Sequence, residues 1–508
     1  GDCATPSRGP FGTFDPAPLK IRYYSAGSAS RPRVTRPTGF AINIASDRIC
    51  NPVVFYPPPI PHLRHRLELT INLIIFVYIG KAPVMEFLME TSRLKIGIRS
   101  EIGKLEAVFL HPPGAEVENM TPRNVQRALY SDILNLGIAR QEYARLYGVL
   151  SQVAKVYEVK PMLAHVLDNT ENRAGLIHRI CEGEGAMQYY DRLMAMDSGT
   201  LASVLIEGMP ADINTLTAYL SNEYYALYPL YNFYFTRDAA VTIGNDVLIC
   251  RMANKVRMRE SIIMEALYRD SGCFDCHITD AHAAARSNPA INMEGGDILV
   301  LRDDILLLGN GIRTSSQGID YMAGQIVRSR PDGEYNIIVQ QLPHSPESFI
   351  HLDMAFTMLD TDKCMVFKPL ILDNNQYQTV LIKIADGKVR SIRPVENLLS
   401  CLRRLGMDLE PVICGGYDEW DQEREQWHSG ANTFCIAPGQ VLTYARNIHT
   451  LEELDKNGFN VIAAEDVISG KEKISGKCAI SIAGSELPRG GGGARCMTMP
   501  LSRREVIW

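Results

Sequence analysis

Apolar residues along this chain follow two spacings that alternate from about residue 105 onward. In LEAVFLHPP (105–113) they form a short continuous run closed by two prolines, which predicts a strand. Thr121 and Pro122 supply a capping hydroxyl and a first-turn proline, predicting a helix over much of RNVQRALYSDIL, residues 123–134. A second helix is predicted over QEYARLYGVLSQVA (141–154), leading into VAKVYEV. From 166 to 228 apolar residues recur three and four apart, as in DRLMAMDSGTLASVLIEG and INTLTAYLSNEYYAL, with no clear strand between them. That stretch is expected to be an inserted helical subdomain.

Beyond it the two spacings mix. DVLIC (246–250) precedes the helical VRMRESIIMEALYRDSG, and ILVL and ILLL flank Arg302, Asp303 and Asp304 as the arms of a hairpin would. CMVFKP, TVLIKI and VLTYARN are further strands. Thr450 is the expected cap of LEELDKN, Gly458 its stop, and FNVIAA the returning strand. Hairpins alternating with helices predict α/β units with mixed sheets, not the strict parallel succession of a dinucleotide fold.

The first segment breaks this pattern. Residues 1–84 hold no methionine and a single glutamate, Glu68, and their apolar run INLIIFVYIG (71–80) is half the ~20 residues a membrane helix needs. It also lies too far from the start for a signal peptide. These residues are expected to be a flexible or non-native extension reaching to about residue 90, with a hydrophobic docking peptide as the alternative. The remaining chain divides into an α/β part over 91–165, the helical insertion over 166–228, and the rest of the α/β domain over 229–508.

Bulk properties narrow the partners. Net charge is only -6 over 508 residues, with both signs interspersed, so no nucleic-acid surface is indicated. Twelve irregularly spaced cysteines fit a reducing compartment, hence a cytoplasmic protein. Cys273-Phe-Asp-Cys276-His277 has the form of a haem-attachment motif, but nothing pairs with it to complete a zinc site, so ordinary loop cysteines are expected.

Candidate chemistry lies in four polar clusters: FTRD (235–238), MEGGD (293–297), FIHLD (349–353) and RGGGGARCMTMP (489–500). In extended backbone His351 and Asp353 would share a side, while Phe235 and Arg237 would oppose Asp238. Gly295 and Gly296 would let backbone approach a ligand after Glu294, and the four glycines would shape a loop presenting Cys496. Taken singly, each has a structural alternative: a satisfied histidine, a hairpin turn, an internal ion pair, a bulge. GNGIRTSSQG (309–318) is a weak match to a phosphate loop. Taken together, a cysteine, a histidine and several carboxylates suit nucleophilic attack on a cationic carbon gripped by carboxylates, as in a guanidinium.

With VFLHPPGAEVENMTPRN, YNFYFTRD, KVRMRE, NMEGGDILVL, GNGIRTS, FIHLDMAFT, ANTFCIAPGQVLTYARN and GGGGARCMTMPLSRREVIW in order from about Ile102 to Trp508, the chain resembles the arginine deiminases of the guanidine-modifying superfamily. The resemblance implies an α/β fold, a five-bladed pseudo-symmetric propeller of ββαβ units with an inserted helical subdomain. It implies hydrolysis of free L-arginine to L-citrulline and ammonia through a covalent cysteine intermediate, with no cofactor and no metal, in a homo-oligomer (dimer or tetramer) without a membrane span. It assigns Cys496 as nucleophile, His351 as acid and base, Asp238 and Asp353 as guanidinium ligands, and Glu294 as support for substrate and histidine. Asn232, Arg257 and Arg313 would hold the amino-acid end. Some relatives place an arginine five residues before the cysteine, where this chain has Gly491, with Arg489 and Arg495 nearby. The alternatives are an agmatine or methylarginine hydrolase, or a non-catalytic arginine-binding protein.

Overall fold

The computed structural model describes residues 93–508 except 123, 124, 126, 131, 222 and 223. The expected extension over residues 1–84, and the boundary placed near 90, lie outside the described residues.

A single local pattern recurs five times after residue 104: an antiparallel strand pair, a helix, then a strand parallel to the second of the pair. It is seen simply in Ala240–Ile243 and Asp246–Ile249, the helix Met258–Asp270, and His277–Asp280 laid parallel to Asp246–Ile249. Ile298–Arg302, Ile305–Asn310, the helix Ser316–Ser329 and Glu334–Gln341 repeat it. So do Phe356–Met358, Lys363–Val366, Leu398–Arg404 and Glu410–Ile413, and then Phe434–Ala437, Gln440–Tyr444, Ile448–Lys456 and Cys478–Ile482. In the remaining unit the pair comes from opposite ends of the described chain: Met499–Arg503 runs antiparallel to Leu105–Leu110, which lies parallel to Lys155–Glu158 after the helix Leu136–Val153. The parallel step requires a crossover, and each helix supplies it. Sheet strands such as Ile298–Arg302 are buried at nearly every position, as strands covered on both faces must be.

The expected α/β character with mixed sheets is present, and so is the hairpin across Arg302, Asp303 and Asp304. Three local expectations fail. Among the described residues no helix follows Thr121-Pro122: Val125 and Arg127–Leu129 lie in turns, and the first long helix starts at Leu136 behind Asn135, whose side chain accepts from the Ile138 amide. Thr450 does not cap the helix Ile448–Lys456; it sits inside it, fully buried, with its hydroxyl 2.6 Å from Glu425. A polar residue suited to a cap was instead taken up by a buried hydrogen bond. The stretch 166–228 is not helix throughout, because Met209–Pro210 pairs with Tyr225–Leu227, and the helical run begins earlier, at Val159.

Within that stretch, Val159–Asp168, Thr170–Glu184, Tyr190–Met194 and Ser198–Glu207 pack their apolar faces with the helix Met258–Asp270 in one buried cluster. Side-chain caps at Asn169 and Asp197, and the left-handed Gly185, mark the helix ends. Among the described residues no helix is long and apolar enough to cross a membrane. Cys273 and Cys276 are unpaired thiols on either side of the two-residue strand Phe274–Asp275.

Candidate active site

Cys496 lies one short loop before the final strand, and its side chain is buried. The four glycines ahead of it are required by space and backbone angle. A methyl on Gly490 would collide with the Tyr234 hydroxyl, one on Gly492 would stand 2.5 Å from Phe235, and one on Gly493 would stand 2.7 Å from the Asn432 carbonyl. Gly491 has open space but a φ of 83°, the left-handed region that disfavours other residues. The Tyr444 hydroxyl also donates to the Gly492 carbonyl at 3.0 Å. The loop is therefore wedged between aromatic rings and Asn432, and only glycine fits at 490, 492 and 493.

Asn432 orients Cys496. Its amide nitrogen donates to Cys496 Sγ at 3.1 Å and to the Asp353 carbonyl at 3.2 Å, while its oxygen accepts from the Cys496 amide at 3.1 Å. Asp353 Oδ2 lies 3.5 Å from the sulfur. Burial and the neighbouring Asp353 and Asp238 push the Cys496 thiol well above its ordinary pKa, so it rests protonated.

His351 and Asp353 do face one site, though not through strand alternation: residues 352–354 form a 3₁₀ turn that begins after His351. The His351 Nε2 donates to Glu294 Oε2 at 2.9 Å, and its Nδ1 is 3.6 Å from Asp238 Oδ1. Burial alone would lower the pKa of the imidazole, but Asp238, Glu294 and Asp297 outweigh it and raise the value to about 9. Glu294 is held down to about 2 against burial by Arg313, His351 and Arg257. In the MEGGD turn the close approach is to protein, since a methyl on Gly296 would stand 2.5 Å from the His351 ring. The glycine expected to make room for ligand makes room for the histidine.

FTRD also departs from the extended expectation. Residues 236–239 are a turn, so Phe235 and Asp238 line the same cavity while Arg237 points away, its Nε donating to the Arg495 carbonyl at 3.3 Å. Arg257 donates to Asp238 at 2.7 Å and to Glu260 at 2.8 Å, so its planar donors are already engaged. Arg313, in the loop that GNGIRTS forms before the helix at Ser316, is 3.5 Å from Glu294 Oε1 and leaves its Nη1 without a hydrogen bond. Asn232 donates to the Ala128 carbonyl at 2.7 Å. Arg489 is half-exposed and paired with Asp132 and Glu486.

Asn232, Asp238, Arg257, Arg313, His351 and Cys496 thus line one cavity, with Leu129, Phe235, Ile350 and Gly490–Gly492 closing it. Glu294 and Asp353 stand directly behind this lining. The cavity holds ≈ 20 Å³, room for about one water, and it shares Leu129, Arg313, Ile350, Gly490 and Gly491 with an outer groove of ≈ 890 Å³. Asp238, Glu294 and His351 place one donor atom each within 4.8 Å of one another, a set that could hold a metal ion. Arg257 and Arg313 already supply positive charge to that cluster.

Asn432, Glu101 and Glu260 were not singled out from sequence. Each acts through a partner distant in sequence or in a common residue type, so no local spacing marks it; only Glu260, three residues after Arg257, leaves a short-range trace.

A family model described as arginine deiminase matches residues 126–503. Arginine deiminase 1 of Staphylococcus epidermidis is 32% identical over 81% of this chain and 99% of its own length. Arginine deiminase of Clostridium perfringens is 29% identical over 81% of this chain and 98% of its own. Among solved structures, SxtG, an amidinotransferase from Microseira wollei, is 14% identical over 82% of this chain and 99% of its own, with a TM-score of 0.46. The length and identity of the sequence matches show that this chain belongs to the arginine deiminase family.

Proposed function

We propose that this site hydrolyses free L-arginine to L-citrulline and ammonia through a thioether-like bond between Cys496 and the guanidinium carbon. The observation that carries this is the convergence of Cys496, His351 and Asp238 on one buried cavity, with Asp353 3.5 Å from the sulfur. Carboxylates on two sides suit the planar N-H edges of a guanidinium, and they disfavour a thiolate until that cation arrives.

On binding, the substrate's positive charge replaces the thiol proton, which leaves to solvent. The thiolate then adds to the guanidinium carbon, and His351, charged at neutral pH, gives its proton to the departing nitrogen, so that ammonia leaves and an S-linked amidinium remains. Neutral His351 next takes a proton from water, the hydroxide adds to the same carbon, and the sulfur departs, regaining the hydroxyl proton as the resting thiol and leaving the neutral carbonyl of citrulline. Glu294 keeps the imidazole oriented and favours its charged form throughout. Asp238 and Asp353 hold guanidinium nitrogens.

Arg313 is the fitting partner for the α-carboxylate, because it lines the cavity and its Nη1 makes no hydrogen bond, only a 3.5 Å ion pair with Glu294. Arg257 supports the site by fixing Asp238, and Asn232 would exchange its bond to Ala128 for the substrate. The cavity is too small for arginine as it stands, so Leu129, Ile350 and the glycine loop must yield during entry. The five recurrent units, joined where Met499–Arg503 meets Leu105–Leu110, support a five-bladed propeller closed around the site.

Release of the ureido product from arginine, agmatine and a methylated arginine (citrulline from the amino acids, the carbamoyl amine from agmatine), measured side by side, tests the assignment. Arginine alone should turn over efficiently. Equal turnover of agmatine would remove the role given to Arg313, and arginine binding without citrulline would replace the enzyme by a sensor.

A further inference from the structure

Arg495, the residue before the nucleophile, is completely buried, yet it is absent from the cavity lining. Its Nη1 donates to Asp353 Oδ2 at 2.8 Å. Its Nε and Nη2 clasp Glu101 at 3.0 and 3.1 Å, and Nη2 also reaches the Ile298 carbonyl at 2.9 Å. The guanidinium is thus held flat by partners from three separate segments, and one of them, Glu101, lies 394 residues away in sequence.

The oxygen of Asp353 that Arg495 holds is the one nearest the sulfur, at 3.5 Å; Oδ1 stands 3.9 Å away. This leaves Oδ1 without a cationic partner and offsets the repulsion between Asp353 and a developing thiolate. We propose that Arg495, braced by Glu101, is a positioning residue for the reaction: it fixes the rotation of Asp353 so that one oxygen faces the substrate, and it sets the charge felt by Cys496. The inference rests on Asp353 being a guanidinium ligand.

The charged and titratable groups around the sulfur are Asp353, Asp238, Arg495, Tyr234 and Tyr444, with His351, Arg257 and Arg313 across the cavity. Glu101 acts on it only through Arg495 and the neighbouring buried Arg237 and Arg503. The sign of each substitution follows. Glu101→Gln removes a negative charge and leaves those cations less compensated, so the thiol should ionise at lower pH. Arg495→Gln removes a positive charge beside Asp353, so the thiol should ionise at higher pH. Arg495→Lys keeps the charge but cannot span Glu101 and Asp353 with one planar fork.

The experiment measures the pH dependence of Cys496 alkylation by iodoacetamide, read on the Cys496 peptide by mass spectrometry, alongside kcat and KM for arginine. Expected are a lower midpoint in Glu101→Gln, a higher one in Arg495→Gln, and a nearly unchanged midpoint in Arg495→Lys with kcat down by up to ~100-fold. A purely structural role would lower thermal stability without opposite displacements. Midpoints that shift together, or remain at the wild-type value, overturn the proposal; if the Arg495 variants do not fold, a Glu101→Gln midpoint that fails to fall overturns it alone. Absence of citrulline from the wild-type enzyme would instead sink the assigned reaction, while the alkylation midpoints would still be readable.

Discussion

The two aspartates assigned to the guanidinium are built alike and charged differently. Asp238 receives Arg257 at 2.7 Å, and Arg257 is gripped by Glu260; Asp353 receives Arg495 at 2.8 Å, and Arg495 is gripped by Glu101. Each arm runs carboxylate, arginine, carboxylate. Glu260 stands near Asp238 and Glu294, and burial with those anions lifts it to about 7 despite Arg257. Glu101 stands near Arg495, Arg237 and Arg503, which bring it down to about 2 against burial. One arm therefore approaches charge saturation with anions, the other with cations. In the proposed reaction the anion-rich arm faces the histidine that must begin protonated, and the cation-rich arm faces the sulfur that must lose its proton.

The largest test removes what both arms serve. Cys496→Ser should lower kcat by roughly 10⁴-fold or more while calorimetry still detects arginine binding, because a hydroxyl is a far weaker nucleophile at this site. Residual turnover within tenfold of wild type would end the covalent route.

Separating the arms comes next. Asp238→Asn and Asp353→Asn should each reduce kcat/KM by ~10²- to 10³-fold, in line with loss of one preorganised charged contact. They should differ in pH behaviour. Asp238 is the leading attraction that keeps His351 charged, so Asp238→Asn should move the alkaline limb of the rate profile below about 9. Asp353 is the leading charge opposing thiolate, so Asp353→Asn should ease alkylation of Cys496. Identical profiles for the two variants would show that the arms are not distinct.

The glycine loop sharpens the second arm. Gly493→Ala must displace Asn432, whose side chain orients the sulfur, at a cost of ~1–3 kcal/mol in stability and a matching loss of kcat. Gly491→Ala meets no atom and should cost only the left-handed backbone penalty of ~1–2 kcal/mol, with kcat closer to wild type. Thermal melts and steady-state kinetics compare the pair.

The smallest expected effect is on stability against pH. Glu260 has a raised folded value, so its contribution is full below its ordinary value of 4.5 and is lost as pH rises through about 7. Glu101 has a depressed one, so its contribution is full above 4.5 and is lost as pH falls toward about 2. Glu260→Gln should flatten the stability curve between pH 4.5 and 7, and Glu101→Gln should flatten it below 4.5. Denaturant midpoints across that range would expose a reversed assignment.

Much of the site was legible before any fold was known. Cys496, His351, Glu294 and Asp238, which converge on the candidate site, all sit in short segments whose glycines, aromatics and charges are unusual together, because close-packed polar groups need tight turns that local sequence must permit. The α/β alternation was legible too, since burial imposes its period directly on the residues. What local sequence misjudged was direction. His351 and Asp353 share a site through a 3₁₀ turn, Asp238 and Phe235 face together through a β-like turn, and Thr450 spends its hydroxyl on a buried glutamate. Only the tertiary structure decided which groups brace which. The reach from Glu101 to Arg495 spans nearly the whole described chain, and a buried charge records its partner in space, where desolvation must be compensated, and not in the spacing of residues beside it.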